Sequence, residues 1–243
     1  MSKFFIPPAS IQGDIAMIDG KEAHHILDVM RLKAGDRIEA FDGKGTLYQG
    51  HILDTANKKV KLKIERVRKT TAVSNLKVTL IQALPKKNKI DYIIQKCTEL
   101  GVDTIIPVQT ARTIVKLDKQ KQIARRKRWE RIAREAAKQC GRTVNPRIKE
   151  LTSWKDVLSR LDNFDLKLLP CLSENTQKIK DVLQAQNKVE KIALFIGPEG
   201  GFTTEEIRQA QDAGCLAVSL GVNVLKSDTA SVCALAMINY ELK

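Results

Sequence analysis

The stretch FIGPEGGFTTEE, Phe195 to Glu206, decides the fold. It leaves an apolar run, crosses three glycines and a proline, and ends in acids. Ile192 to Ile196 reads as a strand, and Glu205 to Ala213 reads as a helix started by a capping box of Thr203 with Glu206. Gly197, Gly200 and Gly201 permit backbone angles closed to other residues and let a ligand touch main chain. Pro198 stiffens the turn. In open α/β sheets ligands sit beyond the carboxyl ends of strands, which is where this loop falls. It is therefore read as a ligand loop. No Lys-Ser or Lys-Thr follows the glycines, and the spacing is not G-x-G-x-x-G, so neither nucleotide-phosphate motif applies. Glu199 in the middle argues for a neutral or cationic ligand rather than a phosphate.

A second loop has the same setting. In SLGVNVLKSDTASVCALAMI, Ser219 to Ile238, Gly221 breaks the strand Cys215 to Leu220. Ser227 or Asp228 caps a last helix that runs from Thr229 to Leu242. If the two strands are neighbours, the two loops face one pocket. Working outward, Leu76 to Leu84, Thr104 to Val108 and Leu166 to Leu172 read as further strands. Asn88 to Leu100 reads as a helix with Ile90, Ile93, Ile94 and Cys97 on one face and Gly101 after its end. Lys119 to Cys140 reads as a long helix, with Trp129, Ile132, Ala133, Ala136, Ala137 and Cys140 as its apolar stripe. Strands alternating with helices imply a mainly parallel sheet covered by helices.

The first 70 residues follow another pattern. Val60, Leu62 and Ile64 alternate with Lys59, Lys61, Lys63 and Glu65, a half-exposed strand with a basic face. Asp42-Gly43 marks a hairpin turn, and Glu22 to Leu32 holds one brief helix. This predicts a small β-barrel over residues 1–70, a polar linker at 68–75, and an α/β domain over 74–243.

The chain carries 42 Lys and Arg against 28 Asp and Glu, a formal +14, which favours a polyanionic partner through counterion release. RRKRWERIAREAAKQCGR, 125–142, holds six Arg and two Lys; Glu130 and Arg134 are spaced as one local ion pair. Lys86, Lys87 and Lys89 add a second cluster. At 5% aromatic residues, stacking on an aromatic platform is not the main mode of contact. No apolar run is long enough to span a bilayer, and the first residues lack the core of a signal peptide. Five cysteines without a C-x-x-C read as buried, reduced thiols, and with three histidines far from them no metal site is expected.

IGPEGGFTTEEI together with LGVNVLKSDTA resembles the small-subunit ribosomal RNA methyltransferase E family, uridine N3-methyltransferases of the knotted SPOUT class. HHILDVMRLKAGDRIEAFDGKG is similar to the family's PUA-like RNA-binding domain, and LPKKNKIDYIIQKCTELGVDTIIPV to the opening of its methyltransferase domain. RWERIAREAAKQCGRTVNP resembles its central helix with a terminal Gln-x-x-Arg. The resemblance implies S-adenosylmethionine held in a trefoil knot at a homodimer interface, with ribosomal RNA as partner in the cytoplasm. Leu172, Ile196, Gly197, Pro198 and Gly200 would wrap the cofactor, with Leu220, Gly221, Val224 and Leu225 from the second loop. The family's second loop runs close to L-G-x-R-I-L-R-x-E-T-A; Asn223 and Lys226 stand in place of its arginines and Asp228 in place of its Glu.

Uridine N3 is a poor nucleophile until its proton leaves, so the protein must extrude the base and stabilise charge on the uracil oxygens. By the resemblance Arg142 is the first candidate for that cation and Lys226 the second, with Glu99 or Asp228 as general base. Arg31, Lys86, Lys87, Arg125, Arg126 and Arg142 are the expected RNA contacts. The competing expectation is an RNA-binding or ribosome-assembly protein that keeps the fold without catalysis.

Overall fold

The alternation of short apolar runs with amphipathic segments resolves, in a computed structural model, into two units described over residues 3–70, 75–115, 117–173 and 175–243. The first unit is Met1–Val73 with Ala137–Asn145, and the second is Ser74–Ala136 with Pro146–Lys243. The sequence reading left 137–145 with the second domain. Half of the linker read at 68–75, residues 71–74, lies outside the described residues, while Arg68 and Lys69 close a strand.

In the first unit the strands are β1 (Lys3–Phe5), β2 (Ile11–Gln12), β3 (Ile15–Ile18), β4 (Arg37–Phe41), β5 (Thr46–Asp54) and β6 (Val60–Lys69), with helix α1 (Gly20–His24) after β3. They form one sheet in the order β1-β4-β5-β6-β3-β2, antiparallel except for β1 against β4. Period-two patterning puts Val60, Leu62 and Ile64 inward with Phe4, Ile18, Ile26 and Ile38. The brief helix runs from α1 directly into a wide turn, His25–Val29. Asp42 organises the β4–β5 turn, its carboxylate accepting from the amides of Lys44 (2.7 Å) and Thr46 (3.0 Å). The returning segment 137–145 belongs to this unit by bonding. Gly45 N–H donates to the Thr143 carbonyl (3.0 Å), Asn145 N–H to the Gly43 carbonyl (2.9 Å), and Lys138 pairs with Glu22 at 2.8 Å.

The second unit contains β7 (Lys77–Ala83), α2 (Lys89–Glu99), β8 (Thr104–Gln109), α3 (Lys119–Gln139), β9 (Arg147–Ile148), β10 (Thr152–Ser153) and α4 (Trp154–Leu158). It continues with β11 (Leu166–Pro170), β12 (Gln177–Lys178), α5 (Ile179–Gln184), β13 (Lys191–Ile196), α6 (Thr204–Asp212), β14 (Leu216–Ser219) and α7 (Ser227–Leu242). The sheet is parallel, in the order β10-β8-β7-β13-β11-β14-β12, with β9 also on β8. Val78, Leu80, Leu168, Ile192 and Leu194 face α2, α5 and α7; Ile81, Ala193 and Phe195 face Trp154 and α6.

The expected capping box is present: Thr203 Oγ1 accepts from Glu206 N–H (3.1 Å), and Glu206 accepts from Thr203 N–H (2.9 Å). Neither expected cap of the last helix forms. Lys226 occupies that position without a side-chain bond, and Ser227 lies inside the helix. Glu130 pairs with Arg126 one turn earlier (3.1 Å). Cys97 and Cys215 are buried, but Cys171 and Cys233 are only partly so and Cys140, just past the end of α3, is exposed. No helix among the described residues is long and apolar enough to cross a membrane.

Candidate functional site

β13 and β14 are not neighbours; β11 lies between them. The two loops meet because β11 ends in the same place and adds a third wall. Pro170 to Leu172, Ile196 to Phe202, Val218 to Gly221 and Asn223 to Leu225 together line a cavity of about 270 Å³ at the carboxyl ends of the three strands. It contains Leu172, Ile196, Gly197, Pro198, Gly200, Leu220, Gly221, Val224 and Leu225, all nine positions expected around a ligand. Its walls are mainly aliphatic side chains and bare main chain, with Ser219, Asn223 and Ser227 as uncharged polar members. Gly221 has φ of +138°, a conformation that side-chain-bearing residues rarely adopt. Burial pushes the Cys171 thiol above its ordinary pKa, so it joins this wall as a neutral group.

A buried polar tie fixes the two glycine loops to each other. Ser227 Oγ donates to the Gly197 carbonyl (2.6 Å) and accepts from Gln82 Nε2 (3.1 Å). Ser231 Oγ donates to Gln82 Oε1 (2.7 Å). Gln82 and Ser231 are fully buried, where unpaired polar groups are costly, so the three side chains hold one arrangement.

Charge at the cavity is sparse. Among the described lining residues Arg112 is the one cation and Glu199 the one acid. Glu199 turns to the start of α2, accepting from Lys86 N–H (3.1 Å) and pairing with Lys89 (3.3 Å). Arg112 Nη1 donates to the carbonyls of Gly200 and of Phe202, the latter at 3.3 Å. The turn carrying Arg112 is anchored by the buried Glu206 carboxylate, which accepts from Ala111 N–H at 2.7 Å.

The other expected residues are not among those that line the cavity. Glu99 is on α2, paired with Lys96 at 3.0 Å, and Asp228 lines a separate depression of about 300 Å³ with Tyr92 and Cys233. Lys226 is exposed between two lining residues, Leu225 and Ser227. Arg142 is half-buried in the first unit, its amide donating to the Ala137 carbonyl at 2.8 Å. Arg31 is an exposed first-unit residue at φ +55°. Lys86 and Lys87 are exposed and Arg125 is half-buried. Arg126 is committed to Glu130 and to Glu150 (2.7 Å).

Arg112, Gln82 and Ser227 were not expected at the site. Arg112 was legible in principle: it follows the end of β8 by three residues, so the rule that drew attention to the strands before Gly197 and Gly221 applies to it too. Gln82 carries no such signal, since one polar residue inside an apolar strand is also what an edge position shows.

Residues 72–239 match the RNA methyltransferase domain, and residues 18–65 match the RNA methyltransferase PUA domain. The chain is 32% identical to the ribosomal RNA small subunit methyltransferase E of Bacillus subtilis (strain 168), over 99% of this chain and 97% of that one. Its structure is similar, with a TM-score of 0.85 at 28% identity, to a ribosomal RNA small subunit methyltransferase E from Neisseria gonorrhoeae bound to S-adenosyl methionine. That likeness covers 99% of this chain and 97% of the other. A Legionella pneumophila protein in complex with the same cofactor gives a TM-score of 0.88 at 30% identity, over 98% and 96% of the two chains.

Proposed function

The chain belongs to the ribosomal RNA small subunit methyltransferase E family, and on that premise we propose that it methylates N3 of one uridine in small-subunit ribosomal RNA. It is an S-adenosylmethionine-dependent ribosomal RNA methyltransferase with a PUA-type first domain and a SPOUT-type second domain. The observation that carries this reading is the convergence of three strand ends on one cavity with aliphatic walls and exposed backbone.

That lining suits the ligand. Leu172, Ile196, Leu220, Val224 and Leu225 would enclose the adenosine, and main chain around Gly197, Pro198, Gly200 and Gly221 would meet its polar edge. When bound, the cofactor supplies an electrophilic methyl group on a positively charged sulfur. The chain's own residues exclude water, fix the loops through Ser227 and Gln82, and orient the extruded base. Lys226, expected as the second candidate for the catalytic cation, is exposed beside the cavity and would be open to the RNA. Glu99 and Asp228 do not line the cavity, which speaks against either as a base acting there.

The working form is a homodimer in the cytoplasm, and the chain path around the cavity is knotted. The dimer reading is supported by large apolar side chains left exposed at the cavity rim, Leu172, Val222 and Val224, and by Tyr240 on α7.

Calorimetry with S-adenosylmethionine, followed by nucleoside mass spectrometry of ribosomal RNA from a deletion strain, tests the function. Saturable cofactor binding and loss of one 3-methyluridine are expected. No binding at millimolar cofactor, with RNA affinity intact, would replace the enzyme by a non-catalytic RNA-binding protein.

A further inference from the structure

We propose that Arg112, rather than Arg142, is the cation that stabilises the reacting base. The inference rests on the methyl-transfer reading above and deepens it.

Three observations converge. Arg112 is the one cationic side chain lining the cavity among the described residues. Its position is built: Nη1 uses its two N–H groups on the carbonyls of Gly200 and Phe202. The side chain also lies flat on the glycine loop, since a β-carbon on Gly200 would sit 3.2 Å from Arg112 Cδ. Finally, a guanidinium has five N–H donors, so three remain on Nε and Nη2 after Nη1 is committed. No carboxylate pairs with Arg112 among the described residues. A cation that is anchored at one end, unneutralised, and at the edge of a ligand cavity is the arrangement that electrostatic stabilisation requires.

The chemistry gives it a task. The N3 proton of uracil leaves to water, and the negative charge spreads over N3, O2 and O4. The N3 electron pair then forms the new N–C bond as the sulfur–carbon bond breaks, and that bond's pair returns to sulfur. The Nε and Nη2 donors of Arg112 hold the charge on a uracil oxygen until the bond forms. Because part of the guanidinium clamps the loop while the rest meets the base, lysine cannot substitute for both tasks.

The experiment compares wild type, Arg112→Lys, Arg112→Ala and Arg142→Ala by cofactor calorimetry, thermal melting and single-turnover methylation of ribosomal RNA from pH 6.5 to 9.5. For Arg112→Lys and Arg112→Ala we expect cofactor affinity within about threefold of wild type. We expect transfer slower by roughly 10²–10³-fold at pH 7, the range for loss of one oxyanion donor. The deficit should shrink as pH rises, because the base then ionises with less help. Arg142→Ala should keep a wild-type pH profile. The proposal is overturned if the Arg112 variants transfer at wild-type rate, or if their deficit is the same at every pH. It is also overturned if cofactor affinity falls more than tenfold, which would make Arg112 a cofactor ligand or a loop clamp only. A wild type that binds no cofactor and methylates no RNA would instead sink the underlying functional reading, and this assignment with it.

Discussion

Two residues show local backbone chemistry working in opposite directions. Gly221 turns the chain out of β14 at φ +138° with open space around it, so an added β-carbon clashes with nothing yet forces an unfavourable backbone. Gly221→Ala should destabilise the protein by about 1–3 kcal/mol, lowering the melting temperature by several degrees in a thermal scan. Asp165 shows the opposite economy, a side chain serving backbone. It accepts from the amides of Glu190 (2.9 Å) and Lys191 (2.8 Å), and these two bonds hold its carboxyl below the ordinary carboxylate range. A depressed folded pKa stabilises fully above the unfolded value, near 3.9, and the contribution fades as pH falls through the folded one. Asp165→Asn should therefore lower the melting temperature at pH 7, and the gap to wild type should close in strong acid. Thiol labelling checks burial directly. Burial pushes Cys97 and Cys215 up to about 12, while Cys140 is exposed. In native protein Cys140 should react with a thiol reagent first, and Cys97 and Cys215 only on unfolding.

At the scale of elements, the glycines announced two of the three cavity walls. Gly197 and Gly221 follow strands of clear pattern, and both loops were legible. The third wall carried no glycine signal and was reached at Leu172 only through the family resemblance, because Leu166 to Leu172 reads as one apolar run whose last two residues belong to the cavity rather than the strand. Strand order was also hidden: nothing in the local pattern places β11 between β13 and β14. The two-residue strands β9, β10 and β12 are shorter than any period can reveal. What replaces adjacency is the Ser227 bond to Gly197, which joins loop to helix across 30 residues. Ser227→Ala leaves the Gly197 carbonyl and Gln82 short of a partner. It should cost about 1–3 kcal/mol in denaturant unfolding and weaken cofactor binding measurably in calorimetry.

Across the whole molecule, net charge spoke for a polyanionic partner, but local commitments decide which cations are available. Arg126 is held by Glu130 and Glu150, and Arg128 by Asp91. Lys127 and Arg131, on the same helix, are exposed and have no ion-pair partner among the described residues. Replacing both with Gln should lower the slope of log affinity for RNA against log salt by roughly 1.5, whereas replacing Arg126 should change it less. Sequence charge alone could not rank these positions, because the ranking depends on which acids the fold brings alongside.

The return of 137–145 to the first unit sets a timetable for the newborn chain. A ribosome that has released only residue 73 has not yet made the strip that pairs with Gly43 and Gly45 and supplies Lys138 to Glu22. About seventy more residues must follow, which at 5–20 residues per second is roughly 4–14 s of synthesis. Throughout that interval the opening module waits incomplete, and β7 and β8 of the next unit are synthesised before it can close.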